Sequence, residues 1–113
     1  MNRTTLNINH PDKVRAEAFL NSLNEELEVV SFDWKSLKQS TRIVDAAKLS
    51  NNDKTLTITI IFTESYGDAD HIINANFIKG SVRWGNNGSL MYLVESSDSD
   101  KVNSILSIFA GEE

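Results

Sequence analysis

The chain has 113 residues, of which 40% are hydrophobic and 24% are charged, which predicts one domain over residues 1–113 with its own core. Its formal net charge of −5 disfavours nonspecific binding to nucleic acid or to anionic membrane. Because the chain contains no cysteine, disulfides, thiolate catalysis and cysteine-ligated zinc are excluded.

The first predicted elements are a short strand and a helix. Apolar and polar residues alternate over residues 5–9, which is typical of a half-buried strand. Pro11 suits a first helical turn, with Asn9 or His10 before it as the cap. Apolar residues then recur at helical spacing, which predicts a helix from about Pro11 to Asn24.

The middle of the chain contains the strongest strand signal. Alternation over residues 30–34 predicts a second strand. Residues 35–53 fit either an edge strand or a short helix, and 50–53 is a cluster of turn residues. We favour a hairpin around that turn, because the segment after it is the best strand in the sequence. In the next strand, 55–62, threonine alternates with Leu, Ile and Phe, so we expect one face of the sheet to be wet there.

Two further helices are predicted in the second half of the chain. Asp68 or Asp70 can cap the first of them, which would end at the Lys-Gly pair of residues 79–80. Ser97 or Asp98 can cap the second, which would end at Gly111. The whole order therefore predicts an α+β fold, a mainly antiparallel sheet packed with about three helices. Its inner part fits a ferredoxin-like (split βαβ) core with an additional C-terminal hairpin strand and helix.

Residues 81–95 lie between these helices and predict a β-hairpin that closes near Asn87-Gly88. A two-residue turn at 87–88 and one at 86–87 give the same assignment of side chains to faces, because paired residues share a face. One face would then carry Val82, Trp84, Met91 and Leu93, and the opposite face Arg83, Leu90, Tyr92 and Val94.

Both faces of this hairpin are apolar, so each needs a cover. The last helix could pack on the second face, or a second copy of the chain could bury it in a homodimer. The residues that would serve as interface candidates are Arg83, Trp84, Leu90, Tyr92 and Val94.

One cluster of side chains could hold a metal, namely Glu64, Asp68, Asp70 and His71. Consecutive side chains on a helix point to different sides, and the spacing is not that of a calcium loop. Acidic residues in a first helical turn are also what the helix dipole favours. Capping is therefore the simpler interpretation, and a metal-responsive or small-ligand domain is the alternative.

No catalytic motif is present, so the leading hypothesis is a small non-catalytic binding or regulatory module that acts through protein-protein contacts, including self-association as a homodimer. The expected partner is a protein or a second copy, with no cofactor, no nucleic acid and no membrane. An enzyme would need His10 or His71 as the acid or base. We expect a cytoplasmic location, because the chain starts without the apolar stretch of a signal peptide.

Overall fold

The computed structural model of the chain describes residues 6, 8–65, 67–77 and 82–111. Its helices and strands are, in chain order, α1 (Lys13–Ser22), β1 (Glu28–Val30), β2 (Ile43–Ser50), β3 (Leu56–Thr63), α2 (Asp68–Asn76), β4 (Arg83–Asn87), β5 (Leu90–Ser96) and α3 (Ser99–Phe109). Two short 3₁₀ turns, Trp34–Ser36 and Ser40–Arg42, lie between β1 and β2. Within the described residues, no helix is long and apolar enough to cross a membrane.

The strands form one antiparallel sheet of five strands in the order β1-β2-β3-β5-β4. The predicted α+β class, with a mainly antiparallel sheet and three helices, is therefore confirmed. The ferredoxin-like (split βαβ) core is not confirmed. Leu6 and Ile8, which were expected in its first strand, are buried but belong to no strand, and the residues at positions 5 and 7 lie outside the described ones.

The hairpin predicted around residues 50–53 is present as β2 and β3. The Asn51 side-chain oxygen accepts hydrogen bonds from the backbone N–H groups of Thr55 and Leu56, at 3.0 and 3.1 Å. Lys54 takes a left-handed conformation with φ of 60°. The predicted turn is therefore present, and an asparagine side chain closes it.

The strand predicted over residues 30–34 ends earlier than expected. Only Glu28–Val30 is a strand, and Trp34 begins a 3₁₀ turn. The Ser36 hydroxyl donates to the Asp33 carbonyl at 2.7 Å, a local bond that competes with strand pairing. Apolar and polar residues do alternate over 30–34, but the chain leaves the sheet before Trp34.

The predicted caps are only partly correct for α1 and α2. His10 precedes α1, and its Nδ1 accepts from the Asp12 N–H at 3.0 Å. Gly67 occupies the N-cap of α2, while Asp68 acts from the first turn by accepting from the Ser65 N–H at 3.1 Å. The helix ends at Asn76, and the predicted stop at 79–80 lies outside the described residues.

The ends of α3 agree with the prediction. Asp98 is the N-cap, and its side chain accepts from the Lys101 N–H at 3.2 Å. Gly111 follows the helix with a φ of 86°, a conformation that glycine adopts without strain.

The hairpin of β4 and β5 has the predicted faces with a different turn. Its turn lies at Gly88-Ser89, one residue beyond the nearer predicted position, so that Trp84 pairs with Leu93. Gly88 takes the left-handed conformation, with φ of 65°. A shift of the pairing by an even number of residues keeps every side chain on its face, so the assignment of faces is confirmed although both turn registers were wrong.

The two faces of the sheet are covered by different helices. The first face packs against α1 and α3, with Ile58, Tyr92 and Phe109 among its buried residues. The second face packs against α2, which buries Ile61 and Met91. The prediction that one face of β3 is exposed to solvent is therefore wrong over much of the strand. Thr59 and Thr63 are buried there, because α2 lies over the side of the sheet that they share with Ile61.

Candidate functional site

The second face of the sheet has the thinner cover. Its helix α2 has nine residues, whereas the first face is covered by α1 and α3, with ten and eleven. Both cores have a rim of half-buried hydrophobic residues. Among the described residues the rim of the first core consists of Phe19, Leu23, Leu27 and Leu106, and the larger rim of the second core consists of Phe32, Trp34, Leu37, Ala46, Phe77, Val82 and Trp84. Partly exposed aromatic side chains of this kind are enriched in protein-protein interfaces.

Lysine side chains lie on one part of this rim. The Lys35 ammonium is 5.6 Å from the centre of the Trp34 ring, and the Lys48 ammonium is 4.8 Å from the centre of the Phe32 ring. Both distances are within the range of a cation–π contact. We call this region the lysine–aromatic surface, and it consists of Phe32, Trp34, Lys35, Leu37, Lys38 and Lys48.

A pair of hydrogen bonds fixes the segment that carries this surface. The Lys38 N–H donates to the Asn76 side-chain oxygen at 2.8 Å, and the Asn76 amide donates to the Lys38 carbonyl at 2.8 Å. Further along the segment, Arg42 donates to Asp68 at 2.8 Å. Since Asn76 and Asp68 lie at opposite ends of α2, the segment is attached to the same helix at two points.

The charge of Arg42 is used within the fold. Its guanidinium beside Asp68 lowers the pKa of that carboxyl, and the Ser65 hydrogen bonds act in the same direction, while burial opposes them. In contrast, no ion pair within the described parts of the chain involves Lys35, Lys38 or Lys48. These lysines are therefore free to meet an external carboxylate.

The predicted interface residues are mostly inside the molecule. Leu90, Tyr92 and Val94 are only 0%, 3% and 2% exposed. The Tyr92 ring stacks on Phe109 of α3 with 5.0 Å between ring centres. This face is therefore covered by α3 of the same chain, which was one of the two alternatives, and these three side chains offer almost no surface to a partner.

The other two interface candidates lie on different faces. Arg83 is exposed and donates to the Asn103 side chain of α3 at 2.6 Å. Trp84 is half-buried in the rim of the second core. Trp84 is thus the one predicted candidate on the same side of the sheet as the lysine–aromatic surface.

The residues considered for a metal are not drawn together. Asp68 is buried and bound to Arg42 and Ser65, whereas Glu64, Asp70 and His71 are exposed. Within the described ranges, no group of three or more Asp, Glu or His residues is placed to hold a metal ion.

His10, the other residue considered for acid–base chemistry, stacks on Phe62 with 4.7 Å between ring centres. With its Nδ1 bound to the backbone before α1, it has the contacts of a turn residue that supports the start of a helix.

The sequence contains a signal for the lysine–aromatic surface, although none of Trp34, Lys35, Lys38 and Lys48 was predicted as an interface residue. The stretch 32–38 reads Phe-Asp-Trp-Lys-Ser-Leu-Lys, in which large apolar residues and lysines interleave. That interleaving could have indicated the surface, since it places cations beside rings over a short length of chain.

Comparison with known proteins adds no family. None of the protein-family models, curated proteins or solved structures with which the chain was compared matches it significantly. Its function therefore has to be inferred from its own residues.

Proposed function

We propose that this chain is a non-catalytic binding module that acts through protein-protein contacts, and that the lysine–aromatic surface binds an acidic segment of its partner. The observation that carries the proposal is the thin cover of the second face by α2. It leaves Phe32 and Trp34 half-buried beside lysines that form no ion pair with any described residue. Aromatic side chains supply much of the binding energy of protein interfaces, and charges beside them select the partner.

The charge distribution supports an acidic protein as the partner rather than nucleic acid. Residues 32–48 contain three lysines and Arg42 against two aspartates, in a chain whose net charge is −5. Arg42 is already paired with Asp68. The lysines that are left suffice to attract a few carboxylates, but they do not form the long basic stripe that follows a phosphate backbone.

A second copy of the chain is one partner that this proposal includes, because the rest of the chain is acidic. A basic surface on one copy that meets an acidic surface on another gives a head-to-tail contact rather than a two-fold one. A cytoplasmic location is part of this proposal.

A peptide titration tests the proposal. The probe is a synthetic amphipathic peptide of alternating leucine-rich and glutamate-rich turns, added to isotope-labelled protein at about 150 mM salt. We expect amide shifts centred on Trp34, Lys35 and Lys48. The double variant K35E/K48E should weaken binding by about tenfold or more, since both attractive charges become repulsive.

The matched control is K13E/K54E, which makes the same change of net charge outside the surface. It should leave the affinity within about twofold of the unaltered protein, because Lys13 begins α1, Lys54 lies in the turn between β2 and β3, and salt screens charges outside the contact. Equal weakening by both double variants would show that only net charge matters, and would overturn the proposal. Light scattering at increasing protein concentration then decides whether a second copy is a partner, by a mass that exceeds one chain.

A further inference from the structure

An open groove lies on the other side of the molecule, between the end of α1 and the helix α3. Its volume is about 300 Å³, near the lower limit of small-molecule pockets. Leu23, Ile105 and Ile108 provide its apolar part. Leu23 and Ile108 are half-buried, so the groove presents apolar carbon to solvent. An open groove of this size suits one or two side chains of a partner better than an enclosed small molecule.

The rim of this groove is acidic. Glu25, Asp98 and Asp100 line it together with a single cation, Lys101. The Lys101 ammonium is already bound to Glu25 at 2.8 Å. Asp98 and Asp100 are both exposed. The rim therefore carries three carboxylates and one ammonium group, and it borders the apolar floor of the groove.

Asp98 and Asp100 have structural roles in α3, but these roles do not neutralise their negative charges. Asp98 accepts from the Lys101 N–H as the cap of α3, and Asp100 lies in the first turn, where the helix dipole favours a carboxylate. A backbone N–H bond does not neutralise a carboxylate. Asp100 has no ion pair within the described part of the chain. A negative field therefore remains at the mouth of the groove.

We infer that the groove between α1 and α3 docks an apolar segment of another protein that carries lysine or arginine, with its apolar side chains on Leu23, Ile105 and Ile108 and its cations beside Asp98 and Asp100. Charge complementarity selects this occupant. An acidic segment would meet three carboxylates, and an uncharged apolar one would leave Asp98 and Asp100 without an ion pair. A basic residue of the partner can also replace Lys101 on Glu25, which exchanges one exposed ion pair for another.

This inference does not depend on the proposed function, because the groove and the lysine–aromatic surface lie on opposite sides of the sheet and have opposite charge. The two sites call for probes of opposite sign. A leucine–glutamate peptide tests the lysine–aromatic surface, and a leucine–lysine peptide tests the groove. Failure of one probe at its site leaves the other result standing.

The experiment titrates the full chain, isotope-labelled, with a synthetic amphipathic leucine–lysine peptide at about 150 mM salt. Amide shifts are expected at Glu25, Ser104 and Ile108. Asp100→Lys should weaken binding by about tenfold, since an attractive charge at the rim becomes a repulsive one. Asp53→Lys, the same charge change in an exposed turn, is the matched control and should change the affinity by less than about twofold.

A second variant tests the apolar floor. Ser104 is exposed on α3 and lines the groove, so Ser104→Trp should fill the groove and abolish the shifts without disturbing the core. The inference is overturned if the shifts centre elsewhere, if Asp53→Lys weakens binding as much as Asp100→Lys, or if a lysine–serine peptide without leucine binds equally well. The last two results would mean attraction to net charge alone.

Discussion

The two faces of the sheet differ in how completely they are closed. On the first face, α1 and α3 bury a continuous core that includes Leu6, Ile58, Tyr92 and Phe109. On the second, the single helix α2 buries a smaller core, and aromatic residues around it stay half-exposed. The difference is one of degree: two helices cover the first face and leave a groove between them, while one helix covers the second face and leaves half-buried aromatic side chains that a partner can cover.

The closed face is tightly fitted around Tyr92. Its ring stacks on Phe109 and passes over Gly85, where a Cβ atom would lie 2.6 Å from the Tyr92 hydroxyl oxygen. Asn87 ties this region to both helices of that face. Its side chain donates to the Phe109 carbonyl at 3.0 Å and accepts from Arg15 of α1 at 2.8 Å.

The largest expected effect separates the two faces by stability. Phe109→Ala removes a fully buried ring that packs against Tyr92 and Phe19, and should lower the free energy of unfolding by about 3–5 kcal/mol. Phe32→Ala, on the half-buried rim, should cost about half of that or less, because part of the ring is already in water. Urea unfolding followed by circular dichroism measures both. Equal losses would mean that the faces are equally closed. If Phe109→Ala does not fold, Phe109→Leu is the milder form of the same test.

A smaller effect tests the fit at Gly85. Gly85→Ala should destabilise the protein by about 1–3 kcal/mol, because the new methyl group meets a Tyr92 ring that Phe109 holds in place. Gly67→Ala is the control, since an added Cβ there meets no atom within 4 Å. Thermal unfolding of the two variants should separate them clearly. A neutral result for Gly85→Ala would show that the Tyr92 ring is free to move.

The pair Arg42–Asp68 should make the second face sensitive to acid. Arg42 lowers the pKa of Asp68 in the folded protein, so the carboxylate stabilises the fold above the pKa of an unfolded aspartate, about 4. This stability is lost as the pH falls through the lowered, folded-state pKa. Asp68→Asn should therefore cost about 1 kcal/mol at pH 7, a discounted value because the Arg42 side chain is 37% exposed and solvent screens its charge.

Urea unfolding at a series of pH values checks this prediction. The difference between Asp68→Asn and the unaltered protein should be constant near neutrality and shrink below about pH 4. A difference that persists at the lowest pH would show that the hydrogen bonds of Asp68, rather than its charge, stabilise this end of α2.

The smallest expected effect concerns the attachment of the lysine–aromatic surface. Asn76→Ala removes both hydrogen bonds to the Lys38 backbone, and these bonds are exposed, so global stability should fall by less than about 1 kcal/mol. Amide exchange at Lys38 should become faster, since the segment can then open locally. Unchanged exchange at Lys38 would mean that Arg42 alone is sufficient to hold the segment on α2.

The elements with regular periodicity could be predicted from the sequence, and those fixed by local side-chain bonds could not. The apolar spacing of α1 and the alternation in β3 identified a helix and a strand correctly. The prediction that a strand reaches Trp34 was wrong, because the chain turns where the Ser36 hydroxyl donates to the Asp33 carbonyl. The alternation of apolar and polar residues gives no sign of such a local hydrogen bond. For the candidate site, the lysines at 35 and 48 were visible, but their position over two rings depends on how the segment packs against α2.

The sequence by itself determined which residues share a face of each strand, because side chains alternate with a period of two whatever surrounds them. It also determined that both sides of β5 need a cover, since each carries apolar residues. Only the tertiary structure decided that α3 of the same chain covers Leu90, Tyr92 and Val94, and that Phe32 and Trp34 stay half-buried at the edge of the second core. Covering a face depends on the direction in which a helix leaves the sheet, and contacts between residues far apart in the chain set that direction.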